Sequence, residues 1–251
     1  MPDRRELKIP TTYWCDVNCP GNPAAWKRHT PVHKSARKLR QRSEDGGVVQ
    51  QQARELAEEG ARLAAQTGDA YEELVAEGLR YGSKEDCRRA AKAFREAIAL
   101  RPDEPIAYYN LGTALGNSAH HVEAAQRFLE AKERYPVGSE GWARATAWAF
   151  TMLTQEACAE VAKPEWWSDE GLKALSARVE RAAPDDHQAN QMRADVLVGQ
   201  YGFWEAGPRS AAELREAAAH FERGAALEPA PALKAQYARN AAWCRQQAVG
   251  I

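Results

Sequence analysis

The 251-residue chain is 44% hydrophobic and 27% charged, and its formal net charge at pH 7 is −1. These values suit a globular protein with a sizeable core and exclude a strongly acidic or basic disordered chain. The charge is uneven, because residues 1–45 hold ten Lys or Arg against five Asp or Glu, a net charge of +5 that leaves −6 for the remainder. This predicts a basic amino-terminal arm joined to a mildly acidic body.

Targeting and cysteine patterns indicate an intracellular protein. No apolar run reaches the roughly 18–20 residues that cross a bilayer, and the first residues, MPDRRELKIPTTYW, lack the apolar segment of a secretory signal. The five cysteines are sparse and odd in number, which argues against a disulfide framework. We therefore expect a cytoplasmic or nuclear location and no membrane association.

The first patterned segment in chain order is YWCDVNCPGNPAAWKRHTPVH, residues 13–33. It resembles a C2H2 zinc finger, because its ligand-type residues are spaced C-x3-C-x9-H-x3-H. The resemblance implies a structural Zn²⁺ ion held by two thiolates and two imidazoles. The implied metal ligands are Cys15, Cys19, His29 and His33. The cysteine–histidine spacer is about three residues short for the family, and a disordered basic tail with coincidental cysteines and histidines is the alternative.

A basic run overlaps and follows this segment. No acidic residue occurs between Val17 and Ser43. Such a run can contact nucleic-acid phosphates or a nuclear import carrier, and it can equally be a solvated helix face or linker. The candidate nucleic-acid contacts are Lys27, Arg28, Lys34, Arg37, Lys38 and Arg40. Residues 1–45 are thus predicted to form a zinc-finger-like module with a basic linker.

The body begins with an amphipathic helix, VVQQQARELAEEGARLAAQ, and continues with an internal repeat. The segments that start at Tyr71 and Pro105 align with an offset of 34 residues. The identical pairs are Gly78 with Gly112, Ala90 with Ala124, Phe94 with Phe128, Ala97 with Ala131, and Pro102 with Pro136.

This register resembles the tetratricopeptide repeat. Two antiparallel helices approach closely where small residues face each other, a large side chain fills the adjoining gap, and proline ends the second helix. The resemblance implies an all-α fold, a right-handed helical-repeat solenoid, over residues 46–248. Clear repeats are predicted at 71–104 and 105–138, degenerate repeats at 139–186 and 187–231, and a capping helix at 232–248. For the degenerate part, a helical extension without repeats is the alternative.

Two insertions interrupt the degenerate repeats, around KPEWWSDE and YGFWEAGPRS. Ser168, followed by two acidic residues, predicts the N-cap of the helix that resumes after the first insertion. The tryptophans of the insertions, Trp166, Trp167 and Trp204, are interpreted as fillers of gaps between repeats. A weaker alternative is an enzyme whose active site lies among them.

Stacked repeats form a concave groove that holds extended or helical peptides. The resemblance places the first helix of each repeat along that groove, and an asparagine there can bond a ligand's backbone because an amide both donates and accepts. The predicted peptide-binding residues are Val75, Leu79, Tyr109, Asn110, Thr113 and Arg144. The alternative for YYNLG, residues 108–112, is that these residues are ordinary fillers of this helix.

Catalytic signatures are missing from the sequence, which has no Gly-rich phosphate loop, HExxH or GxSxG motif. We therefore expect a non-enzymatic adaptor or scaffold that binds a protein or peptide and has no small-molecule substrate. The alternative function is a nucleic-acid-associated regulator that uses the finger and the basic run.

Overall fold

The computed structural model describes residues 44–251, without the side chains of 44–50, 52, 53, 63 and 67. These residues form ten α-helices and one two-stranded hairpin. The helices are α1 (Glu44–Thr67), α2 (Ala70–Ser83), α3 (Cys87–Leu100), α4 (Pro105–Asn117), α5 (His121–Arg134), α6 (Glu140–Leu153), α7 (Asp169–Ala182), α8 (His187–Val198), α9 (Ala211–Leu227) and α10 (Pro231–Val249). The strands are β1 (Gln200–Tyr201) and β2 (Trp204–Glu205), and a single 3-10 turn spans Glu156–Cys158. The all-α, helical-repeat-like prediction is confirmed for this part of the chain.

The described residues divide into two compact units, 44–120 and 121–251. The division falls between α4 and α5, inside the predicted second repeat. We describe each unit by itself.

In the unit 44–120, each helix packs against the next one along the chain, and α2 also contacts α4. The connections are two to four residues long, which makes neighbouring helices antiparallel. Asp69 and Asp86 cap α2 and α3 by accepting hydrogen bonds from backbone N–H groups of the first turn. Chain direction therefore reverses at short, locally encoded turns.

The closest approach in this unit is between α2 and α3 at Gly78. A Cβ atom built on Gly78 would lie 2.5 Å from the Phe94 ring. Phe94 is 2% exposed, and Ala90 and Ala97 are fully buried beside it on α3. Gly78 on α2 thus leaves room for a large side chain from α3, and the two helices approach closely at this point.

In the unit 121–251, α5 packs against α6, α7 and α8 pack against α6 and against each other, α9 packs on α8, and α10 on α9. Phe128 of α5 stacks on Trp148 of α6 with ring centroids 6.0 Å apart. The hydroxyl of Ser168 accepts a hydrogen bond from Gly171 N at 3.1 Å, which confirms the predicted N-cap of α7. The predicted final helix is present as α10.

The β-hairpin is an element that the sequence did not predict, although an insertion was expected there. Its two strands pair antiparallel, with Tyr201 opposite Trp204. Gly202 has a φ of +58°, and a Cβ on it would lie 2.2 Å from the Thr154 carbonyl oxygen. Only glycine fits this turn, because the backbone is left-handed and another backbone segment is in contact.

Candidate functional site

The predicted groove residues of the unit 44–120 lie on α2 and α4 and differ in exposure. Val75 is 7% exposed and belongs to a core cluster with Tyr71, Ala97 and Ala107, whereas Leu79 is 43% exposed. The Leu79 side chain is therefore accessible to a binding partner, whereas Val75 packs in the core beneath this surface.

On α4, Tyr109, Asn110 and Thr113 are all half-buried. The Thr113 hydroxyl donates to the Tyr109 carbonyl oxygen at 3.2 Å, so part of its polarity is used inside the helix. Ile106 lies one turn before Asn110 and is 45% exposed. Sequence reasoning omitted Ile106, although its place at the second position of the repeat, beside the other groove positions, was a usable signal.

We refer to these solvent-accessible residues of α2 and α4 as the A-helix surface. It consists of Leu79, Ile106, Tyr109, Asn110 and Thr113. The surface is mainly apolar, it carries one amide (Asn110) and two hydroxyls (Tyr109 and Thr113), and it includes no charged residue.

The remaining predicted groove residue, Arg144, lies on α6 in the other unit. Its guanidinium pairs with Glu140 at 2.6 Å and with Asp186 at 3.0 Å. Asp186 is also the N-cap of α8, where it accepts a hydrogen bond from Ala189 N. Arg144 therefore has a structural role between two helices, and a ligand carboxylate would have to compete with two carboxylates of the protein.

The tryptophans of the two insertions pack around Phe150 in the core shared by α6, α7 and α8. The Phe150 ring lies 5.6 Å from Trp167, 6.0 Å from Tyr201 and 5.9 Å from Trp204, measured between centroids. Trp166 in turn contacts Trp167 at 5.6 Å. The packing supports the interpretation that these tryptophans fill space between helices.

A buried polar cluster lies beside this aromatic core, and the sequence did not reveal it. We call Asp195, Gln191, Tyr201 and Tyr237 the Asp195 cluster. The Gln191 side-chain nitrogen donates to the Tyr201 hydroxyl at 3.2 Å, and the Tyr237 hydroxyl donates to the Gln191 side-chain oxygen at 2.7 Å. Gln191 thus links α8 to β1 and to α10.

Asp195 is 2% exposed, and its Oδ2 atom has no hydrogen-bond partner. Burial raises the pKa of the Asp195 carboxyl well above its usual range, and a hydrogen bond from Gln191 opposes this effect only in part. Burial, followed by the nearby Asp195 carboxyl, raises the pKa of Cys244 to about 12. The Cys244 thiol is therefore protonated at neutral pH and a poor nucleophile.

A charged network joins α7 to the start of α9. Arg209 makes a bidentate pair with Asp169, with N–O distances of 2.9 and 2.6 Å, and its Nη2 also donates to the Val196 carbonyl oxygen. Lys173 lies 3.2 Å from Asp169 and 2.7 Å from Glu213. Sequence reasoning missed this network, because partners about 40 residues apart show no local spacing pattern.

The predicted zinc ligands and basic contacts lie outside the described residues, and both stay predictions. Within 44–251, no group of three or more His, Cys, Asp or Glu residues is placed to hold a metal ion. Among the same residues, no helix combines the length and apolarity needed to cross a bilayer.

Comparison with known proteins gives no assignment: no protein-family model matches the chain, and no curated protein is significantly similar to it.

Proposed function

We propose that the protein is a non-enzymatic adaptor that binds a peptide segment of another protein on the A-helix surface. In this proposal the helices belong to a right-handed solenoid of tetratricopeptide-like repeats, and a structural zinc module precedes it. The observation that carries the proposal is that Leu79, Ile106 and Asn110 are accessible on two contacting helices whose repeat register predicts a groove.

The composition of this surface limits the chemistry of the partner. Leu79 and Ile106 offer apolar contacts, and Asn110 can donate to and accept from an extended backbone. The exposed side of α2 carries Glu72 and Glu73 in its first turn. We therefore expect a peptide with apolar anchors that is neutral or basic rather than acidic.

A displayed peptide library panned against the full chain tests the proposal. Enriched peptides, made synthetically and labelled, should bind the purified protein in fluorescence anisotropy titrations. Asn110→Ala should weaken binding about tenfold, because a buried backbone group of the peptide loses its partner. Leu79→Ser should act in the same direction through lost apolar contact.

Lys92→Ala is the matched control, because Lys92 is exposed on α3, outside the A-helix surface. It should leave the affinity within twofold of the unmodified chain. Failure to enrich any peptide, or affinities that Asn110→Ala and Leu79→Ser leave unchanged, would overturn the proposal.

A further inference from the structure

The carboxylate of Glu72 borders the A-helix surface and lies on the same face of α2 as Leu79. The two residues are seven positions apart on the helix, almost two full turns, so their side chains project in nearly the same direction. The 34-residue register places Ile106 at the corresponding position of α4, a helix that contacts α2. Glu72 therefore has one exposed apolar residue along its own helix and another on the neighbouring helix.

The Glu72 carboxylate is only loosely paired within the protein. Its side chain is 51% exposed, and an Arg101 nitrogen lies 3.9 Å from it, at the long end of the range for an ion pair. The Arg101 guanidinium is hydrogen-bonded to Asp69 and lies 4.8 Å from the centroid of the Tyr71 ring. The negative charge of Glu72 is therefore available to a cation of a binding partner.

Glu72 lies at a similar distance from both apolar residues. Seven residues of α-helix span about 10 Å, which separates Glu72 from Leu79 along α2. Packed helices lie about 8–10 Å apart, which separates Glu72 from Ile106 on α4. In a polyproline-II peptide, residues three apart lie on the same side and are separated by about 9 Å. Such a peptide fits this spacing whether it runs along α2 or across to α4.

Asn110 suits the same peptide conformation. It lies one turn after Ile106 on α4 and is half-buried. A polyproline-II backbone has no internal hydrogen bonds, so its N–H and C=O groups are free to bond the Asn110 amide. A helical peptide satisfies these groups itself, and its residues three apart are separated by only about 5–6 Å. The surface therefore favours an extended peptide over a helical one.

We propose that Glu72 determines which peptides bind the A-helix surface, by pairing with a Lys or Arg three positions from the peptide's apolar anchor. This inference rests on the proposed function, because it concerns the same surface. The recognised pattern is a basic residue, two unspecified residues and an apolar residue, in either chain direction. An exposed ion pair contributes little free energy, so Glu72 acts by discriminating among peptides with similar apolar anchors.

A displayed peptide library panned in parallel against the full-length wild type, Glu72→Lys and Glu73→Lys tests the inference. Glu73→Lys is the matched control, because Glu73 is also exposed and its replacement changes the net charge equally. Its side chain projects about 100° around α2 from that of Glu72. The wild type and Glu73→Lys should enrich Lys or Arg three positions from an apolar residue. Glu72→Lys should lose this preference and enrich Asp or Glu there.

Fluorescence anisotropy with synthetic copies of the wild-type-selected peptides measures the size of the effect. Glu72→Lys should weaken binding about fivefold at low salt, and the difference should shrink at high salt, where exposed charges are screened. Replacing the basic residue of the peptide with Glu should restore its binding to Glu72→Lys. This rescue also shows that the variant is folded.

Three outcomes overturn the inference and leave the proposed function standing, provided that Asn110→Ala still weakens binding. They are enriched peptides without a basic residue at this spacing, equal losses of affinity in Glu72→Lys and Glu73→Lys, and no rescue by the charge-reversed peptide. A library from which the wild type enriches no peptide overturns both the inference and the proposed function.

Discussion

At the scale of single residues, Gly78 and Phe94 pack directly against each other, and both are residues that recur in the aligned repeats. The glycine has no Cβ, and the aromatic ring occupies the space that a Cβ would need. The same chain offers a contrasting glycine, Gly60 of α1, around which no atom lies within 4 Å of a built Cβ. Alanine substitutions at Gly78 and at Gly60 can therefore distinguish the effect of packing from that of helix propensity.

Gly78→Ala should lower the free energy of unfolding by about 1–2 kcal/mol, because overpacking outweighs the gain in helix propensity of about 1 kcal/mol. Gly60→Ala should instead raise it by about 0.5–1 kcal/mol. Urea denaturation followed by circular dichroism measures both values. In a Phe94→Leu background, Gly78→Ala should lower the free energy of unfolding by less. An equal loss in both backgrounds would show that the Phe94 ring does not cause the destabilisation.

A second residue-scale feature is the pair between His187 and Glu228, 3.0 Å apart with the Glu228 side chain 4% exposed. Burial acts to lower the pKa of His187, but the hydrogen bond and charge of Glu228 outweigh it and raise the pKa. Burial acts to raise the pKa of Glu228, and the bonds from His187 and Ala230 N lower it. The pair is therefore most favourable when both groups are charged.

The contribution of this pair to stability should be largest between about pH 4.3 and 6.5, the two unperturbed pKa values. It should decline as pH rises through the folded pKa of His187 and as pH falls through that of Glu228. In urea melts at pH 5 to 9, the stability difference between wild type and Glu228→Gln should narrow toward pH 9. Glu160→Gln removes an exposed carboxylate, so the difference in unfolding free energy between this variant and the wild type should stay constant over the same pH range.

At the scale of elements, the Arg209 network determines how α7 joins the start of α9. The hydrogen bond from Arg209 is the main cause that lowers the pKa of Asp169 to about 2. The hydrogen bond from Lys173, with those at Ser210, lowers the pKa of Glu213 to about 2. Glu213 also completes a capping box with Ser210 at the start of α9.

Because both folded pKa values lie below the unfolded ones, their stabilisation is present above about pH 4 and is lost as pH falls toward 2. The wild type should lose unfolding free energy as the pH falls. In Asp169→Asn this loss should be smaller by about 1 kcal/mol, a value that allows for screening of the pair by solvent. Denaturant melts between pH 5 and 2.5 measure the change. If Asp169→Asn has the same acid dependence as the wild type, the Arg209–Asp169 pair does not stabilise the fold.

At the scale of the whole molecule, the sequence divides into a basic amino-terminal arm and a helical body in which α-helices pack mainly on their neighbours along the chain. Local packing of this kind makes stability approximately a sum of helix-pair terms. The amino-terminal arm carries a further prediction, the zinc module.

The purified full chain should contain about one equivalent of zinc by elemental analysis, as one closed four-ligand site requires. Cys15→Ser should abolish it, since a structural site does not tolerate loss of a thiolate ligand. Cys87→Ser, on α3, should retain the metal. Zinc that is absent from the wild type, or retained in Cys15→Ser, would show that the residues do not form a finger.

Sequence reasoning predicted the helices well where local signals exist. The Ser168 N-cap and the final helix are both present. The burial of Val75 and the exposure of Ile106 were not predicted, because one repeat register does not show how far each position is buried by its neighbours.

The sequence by itself determined the helical class, the helix ends and the 34-residue register, because 3.6-residue periodicity, capping residues and small–large spacing act within a few turns. Only the tertiary structure decided the partners of Arg144 and Arg209, the β-hairpin, and the burial of Asp195. These features join residues distant along the chain, and their energies depend on desolvation and on which backbone happens to lie opposite. Such quantities arise when the helices pack, and no local pattern encodes them.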